Sequence, residues 1–259
     1  MVEPILEKIF AARRRAVEDA KKTTPLAELM ARARSIAPPR DFKAALMTKE
    51  LAVIAEVKKA SPSQGPMVQQ MDAAQQARQY QEGGAAAISV LTEETFFGGR
   101  LEDLSKVKET VSLPVLRKDF IFDPYQIWES RASGADAVLL IASALDMVSL
   151  RQLIRLTRQL RMMPLVEIHH LDELGKALDA GADIVGVNAR DLQTFAVDLR
   201  IPLSLAPVIP PGIIKIAESG IKTRADVDRL RQAGYDGILV GETLVRAERP
   251  AVKLRELMA

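Results

Sequence analysis

The chain contains no cysteine. Disulfides, thiolate metal sites and a cysteine nucleophile are therefore excluded. An excess of one charge sign is missing too. Among 259 residues, lysine and arginine outnumber aspartate and glutamate only enough to give a formal charge of +2. So small a surplus does not argue for nucleic acid, and no basic stretch is interleaved with aromatics. Long apolar runs are absent as well. The longest, Ala137 to Leu145, is far shorter than the ~20 residues of a spanning helix. The opening MVEPILEKIFAARRRAVEDA scatters acids and arginines among its apolar residues, so it does not read as a secretion signal. No apolar run is followed by G-x-G-x-x-G. The expectation is a cytoplasmic protein with no nucleic-acid or membrane partner, monomeric or weakly self-associating.

What is present is a chain that is 48% hydrophobic and 27% charged, ample for a large core. Residues 1–50 look helical: Ile5, Ile9, Ala12 and Ala16 recur at helical spacing, and Pro25 suits a second helix start through Leu26 to Ala33. The segment ARRRA from Ala12 reads as a solvated helix face. From Leu51 onward, short runs rich in Val, Ile and Ala alternate with longer amphipathic stretches. The runs are Leu51–Val57, Ala85–Leu91, Leu113–Leu116, Ala135–Ala142, Met163–Ile168, Ala182–Val187, Ile213–Ala217 and Gly237–Val240. They are apolar nearly throughout, as expected of parallel strands covered on both faces.

An internal echo supports this. GGAAAISV, SGADAVLL, AGADIVGV and AGYDGILV begin at Gly83, Ser133, Ala180 and Ala233, roughly every 50 residues. That length holds two βα units, so the echo precedes every second strand. Its glycine stops a helix and the next residues enter a strand. The pattern predicts one (β/α)₈ TIM barrel over 51–259, preceded by a helical extension over 1–50, as a single domain of 1–259. An open doubly wound sheet is the alternative.

In such a barrel the loops after the strands build the site. The apolar runs end in Glu56 and Lys58; Thr92 and Glu93; Lys118 and Asp119; Ser143; Glu167 and His169; Asn188 and Arg190; Glu218, Ser219 and Gly220; Gly241 and Glu242. Any one of these could be a charge that simply meets water. Their coincidence at successive strand ends favours a shared mouth, where lysines and glutamates neutralise one another. The adjacent His169 and His170 face opposite ways on a strand and have no carboxylate spacing to complete a metal site. Trp128, Met162 and Met163 read as packing.

The motifs IAEVKKASPSQG, LTEETFFGG, LPVLRKDFIFDPYQI, ADAVLLIAS, PLVEIHH, GVNARDL, AESGI and GILVGETL stand in order at consecutive strand ends. In them the chain resembles the indole-3-glycerol phosphate synthase family of tryptophan biosynthesis. The resemblance implies a carboxy-lyase acting on a small phosphorylated substrate, 1-(2-carboxyphenylamino)-1-deoxyribulose 5-phosphate. That substrate undergoes ring closure, loss of CO₂ and loss of water. No cofactor and no metal is implied. Carried over by position, Lys118 would be the acid for closure and Glu167 the acid/base carboxylate. Lys58 would hold the substrate carboxylate, with Glu56 setting its orientation. Asn188 and Arg190 would help hold substrate, and Glu218 would hydrogen-bond to it. Ser61, Ser219, Gly220, Gly241 and Glu242 would surround the phosphate. Phe97, Phe120, Leu139, Leu192 and Val240 would grip the aryl ring. Cations beside Lys118 are expected to make its proton easier to release. Gln64 departs from the family, which often has a basic residue there. Two other readings stay open. One is a phosphoribosylanthranilate isomerase, whose chemistry relies on a cysteine that this chain lacks. The other is a catalytically silent barrel that binds a sugar phosphate or a partner subunit.

Overall fold

The computed structural model describes residues 5–48, 50–62, 65–67, 71–191 and 194–259, so Gln64 and Leu192 lie outside the described residues. Each apolar run becomes a strand. They are β1 Ala52–Val57, β2 Ala87–Leu91, β3 Val115–Lys118, β4 Ala137–Ile141, β5 Met163–Ile168, β6 Ile184–Asn188, β7 Ile214–Glu218 and β8 Gly237–Val240. Neighbours in sequence pair in parallel, and β8 returns to β1, closing the barrel. The open-sheet alternative is thereby excluded. Side chains alternate across the barrel wall as strand geometry demands. In β1, Ala52 and Ile54 join the interior cluster, while Val53, Ala55 and Val57 pack outward under the helices.

Several strands run past the apolar residues that announced them. The run Leu113–Leu116 becomes a strand ending at Lys118, with Arg117 wholly buried on its outer side. A buried arginine is tolerated only with partners. Arg117 donates to Asp119 Oδ2 at 2.8 Å and to Ser130 Oγ at 3.0 Å, and its Nη2 lies 2.7 Å from Glu129 Oε2.

The N-terminal extension folds as α1 Ile5–Thr23, α2 Leu26–Ser35 and α3 Phe42–Met47. Asp41 caps α3 by accepting the Ala44 N–H at 2.8 Å. On α1 the buried residues are Ile9, Arg13 and Val17, while Ala16 is exposed. The expected face through Ala12 and Ala16 is therefore wrong by part of a turn, and ARRRA is not wholly solvated. Arg13 turns inward and grips Asp119 with both arms, Nε to Oδ1 at 2.9 Å and Nη2 to Oδ2 at 2.7 Å. Asp119 lies just past the C-terminal end of β3, so this pair fixes α1 over the mouth of the barrel. Phe42 and Leu46 of α3 also join the interior cluster.

The repeat has a structural cause. Gly84, Gly134, Gly181 and Gly234 all have φ between 84° and 93°, the left-handed conformation that ends a helix. The aspartates that follow hold the strand starts. Asp136 Oδ2 accepts the Val115 N–H of β3, and Asp236 Oδ2 accepts the Lys215 N–H of β7, both at 2.7 Å. Asp183 instead pairs with Arg158 at 2.6 Å.

Candidate active site

At the C-terminal end of the barrel the interior positions change from aliphatic to charged. Glu56, Lys118, Glu167, Asn188 and Glu218 occupy strands β1, β3, β5, β6 and β7, and Lys58 follows β1. All six line one cavity of about 590 Å³, within the usual size range of a small-molecule site. Lys118 Nζ donates to Glu167 Oε2 at 3.0 Å and to Glu218 Oε2 at 2.7 Å. Lys58 Nζ lies 2.7 Å from Glu56 Oε1. Two lysines thus offset all but one of the three carboxylate charges at the floor, which is how the strand ends tolerate burial.

These pairings set the proton affinities. Burial opposes the charge on Lys118, but Glu167, Glu218 and Glu56 outweigh it and hold the ammonium well above the ordinary lysine range. This corrects the expectation of neighbouring cations: carboxylates flank Lys118, and they tighten its hold on the proton. Burial pushes the two carboxyls on Lys118 upward as well. For Glu167, Lys118 and His169 reverse that push and leave it below the usual range. Glu218 faces Lys118 and the negative Glu167, and it ends at about 7. Glu56, despite its burial, is lowered by Lys58 and Lys118.

The walls differ in character. Phe97, Phe120, Leu139 and Val240 line the cavity, and the rings of Phe97 and Phe120 have centroids 6.0 Å apart. Glu93 accepts the N–H groups of Thr95, Phe96 and Phe97, fixing the turn that presents Phe97. Ser61, Arg190, Ser219, Gly220, Gly241 and Glu242 also line the cavity. Ser219 and Gly220 both have left-handed backbones, φ 67° and 76°. For serine this conformation is strained, and such strain gathers at functional sites. Arg190 Nη2 lies 3.6 Å from Glu242 Oε2, and Arg246 Nε lies 3.4 Å from Glu242 Oε1.

Not every strand-end residue reaches the cavity. Thr92 and Glu93 are spent on Asp119 and on the Phe97 turn, and Ser143 faces solvent. The apolar face of the N-terminal helices is expected to pack over the barrel and border the substrate, and Leu6 and Ile9 of α1 do line the cavity; Lys222 and Arg246, beyond β7 and β8, line it without having been singled out in the sequence. Their signal was weak because neither sits at a strand end. His169 is buried and His170 exposed; among the described residues no cluster of acids and histidines is gathered to hold a metal ion.

One glycine keeps the floor intact. A Cβ on Gly186 of β6 would lie 2.1 Å from Glu218 Oε1 and 2.8 Å from the Leu165 side chain. Gly186→Ala should therefore push Glu218 off Lys118. The expected result is a fall in kcat of about tenfold or more together with a loss of about 1–3 kcal/mol in stability, since the methyl also meets the buried Leu165. Unchanged kinetics would show that Glu218 needs no such room.

The family model for indole-3-glycerol phosphate synthase matches residues 6–257. The chain belongs to that family. Indole-3-glycerol phosphate synthases of Carboxydothermus hydrogenoformans and Dehalococcoides mccartyi are 48% and 46% identical to it. The alignments cover 98% of this chain and 99% and 100% of those proteins. The one from Kineococcus radiotolerans is 47% identical over 98% of this chain and 95% of its own length. Solved structures outside the family share the fold alone. A thiamine phosphate pyrophosphorylase from Pyrococcus furiosus aligns with TM-score 0.60 at 16% identity, over 81% of this chain and 94% of that one. A 3-hexulose-6-phosphate synthase from Salmonella typhimurium aligns with TM-score 0.64 at 15% identity, over 80% of this chain and 96% of that one. Membership of the synthase family accounts for the order of the strand-end motifs. No helix among the described residues is long and apolar enough to cross a membrane.

Proposed function

We propose that this cavity converts 1-(2-carboxyphenylamino)-1-deoxyribulose 5-phosphate into indole-3-glycerol phosphate, with the charged floor performing the proton transfers. The observation that carries the reading is Lys118 bound between Glu167 and Glu218 at the ends of alternate strands, with the Glu56–Lys58 pair beside them. The aryl carbon that bears the carboxylate bonds to the ketone carbon, and the ketone oxygen takes a proton from Lys118. An alkoxide is more basic than an amine, so this transfer runs downhill even from a tightly held ammonium. Lys58 holds the departing carboxylate until CO₂ leaves and its electron pair returns to the ring system. Loss of the hydroxyl as water then completes the indole, with Glu167 as acid/base. The carboxylates fix the lysines before substrate arrives, so little reorganisation is needed at the moment of reaction. Phe97 and Phe120 would take the aryl ring. The strained Ser219–Gly220 turn and the cations Arg190, Lys222 and Arg246 would take the phosphate, which suits the ends of β7 and β8 in this fold.

The test is turnover of that substrate, followed by the appearance of indole fluorescence, in protein dialysed exhaustively against a metal chelator. Turnover at the undialysed rate is expected, because the lysines supply the positive charge. Activity that vanished and returned only with a divalent ion would overturn the charge assignment. No turnover before dialysis would leave the silent-barrel reading.

A further inference from the structure

Glu167 and Glu218 present a symmetry problem. Both are buried, and both bind the same Lys118 nitrogen through an Oε2 oxygen, at 3.0 and 2.7 Å. If Glu167 is to act as acid/base, something must make it differ from its twin. Glu218 Oε1 has no hydrogen-bond partner among the described residues. Glu167 Oε1 instead faces the ring of His169, whose Nε2 lies 3.3 Å away. That nitrogen is itself buried and makes no aligned hydrogen bond. Behind the ring stands Glu173, in the first turn of the helix Leu171–Asp179 that follows β5. Glu173 Oε2 accepts the His169 backbone N–H at 2.8 Å and lies 3.5 Å from ring Nδ1. One carboxylate oxygen thus holds both the backbone and the ring of the histidine.

We propose that His169 is a positioning residue for Glu167, clamped by Glu173 so that its ring faces the carboxylate oxygen that Lys118 does not hold. The inference rests on the synthase reading given above. Each oxygen of Glu167 then faces its own nitrogen, whereas Glu218 has one for the two. The charged groups facing the ring are Glu167 from β5 and Glu173 from the following helix. Lys118 and Glu218 are coupled to it through Glu167. Burial works against a charge on the imidazole, but the two carboxylates overcome it and raise the ring to about 10. A cation on that side keeps Glu167 ionised beside Lys118. Without it, the proton affinity of Glu167 would rise toward that of Glu218, and the two carboxyls would be less distinct. The same clamp fixes the direction in which Glu167 presents its oxygens.

Two measurements test this. The chain has two histidines, so nitrogen NMR of labelled protein can be assigned with His170→Asn. His169 should keep both ring nitrogens protonated through pH 8 in the substrate-free protein. A neutral His169 at pH 7 would overturn the proposal. The second measurement is the pH profile of His169→Gln. Losing a neighbouring cation raises the Glu167 pKa, so the acid limb of kcat should move up by about one pH unit. At pH 7 Glu167 stays ionised, so any fall in kcat there comes from its loosened orientation and should be a few-fold, with KM within about twofold. A purely structural role would lower the unfolding temperature and leave the acid limb in place, and that result would also overturn the proposal. If His169→Gln fails to fold, Glu173→Gln keeps the imidazole and loosens its hold. There the ring should lose its proton at lower pH than in the parent, and the limb should shift the same way by less; an unmoved ring and limb would count against the clamp. If the unaltered chain shows no turnover, the synthase reading fails, and the NMR titration still reports on the clamp because it uses no substrate.

Discussion

Lys118→Met is expected to lose turnover by about 10²-fold or more while still binding substrate. Methionine fills the same space without a proton to give. The phosphate rim at Ser219 and Gly220 and the aryl wall at Phe97 are on other elements and should stay whole. The substitution also leaves Glu167 and Glu218 facing each other without their shared cation. Two buried carboxylates that close cannot both stay ionised, so Glu218, already at about 7, should take up a proton. Binding should therefore survive better than catalysis, and equilibrium binding set beside single-turnover rates will separate them. Glu167→Gln should behave differently. Lys118 keeps Glu218 as a partner at 2.7 Å, so closure can proceed. Dehydration should then stall, and rapid quenching should trap a cyclised, decarboxylated intermediate. Unreacted substrate in Glu167→Gln together with the intermediate in Lys118→Met would require the two roles to be exchanged.

Arg13→Ala should have the largest effect on stability. It removes a two-armed grip on a carboxylate that is wholly out of water. Breaking one side of a buried pair typically costs ~3–5 kcal/mol, because the remaining charge is stranded. Asp119 keeps Arg117, the Thr92 hydroxyl and the Phe120 N–H, so the lower end of that range is expected. For a chain of this size ~3 kcal/mol corresponds to a fall of roughly 6–12 °C in Tm. Leu6 and Ile9 ride on the same helix and line the cavity, so KM should rise as well. Arg15→Ala, at an exposed position two residues on, should change Tm by about 1 °C or less. Equal losses in the two variants would mean that the ion pair contributes nothing specific.

Arg13 also marks where the sequence stopped being readable. The strands were legible because burial on both faces leaves a local signature, a short apolar run. The cavity residues were legible because β-strand parity puts Glu56 and Lys58 on one side, and because polar residues at strand ends gather in any closed barrel. Arg13 and Asp119 are 106 residues apart, and nothing within a helical turn of Arg13 announces its partner. Read locally, three arginines in a row look like a wet face. Arg117 was hidden for the same reason: a charge appeared to end a strand that in fact continues, since its neutralising groups lie on the next loop and helix. His169 is visible in the sequence as a strand-end residue beside Glu167, but not as its partner. Its place between Glu167 and Glu173 depends on the turn between β5 and the helix, which pattern alone does not fix. The flanking of Lys118 by acids rather than cations follows from which strands alternate around the barrel, a property of closure.

The aspartates at the far end of the barrel have a bearing on the chemistry they never touch. Asp136 ties the first residue of β3 to the start of β4, and Asp236 ties Lys215, the second residue of β7, to the start of β8. Strand side chains alternate, so sliding β3 by one residue would exchange its two faces. Arg117 would then enter the cavity in place of Lys118, and Lys118 would be driven under the helices. Sliding β7 would likewise withdraw Glu218 and present Ala217. A carboxylate bound to a particular backbone N–H permits one alignment and leaves a buried charge unsatisfied in the next. The alignment that puts the lysine on the inside is thus secured from below, by residues one barrel length away from the bond being made.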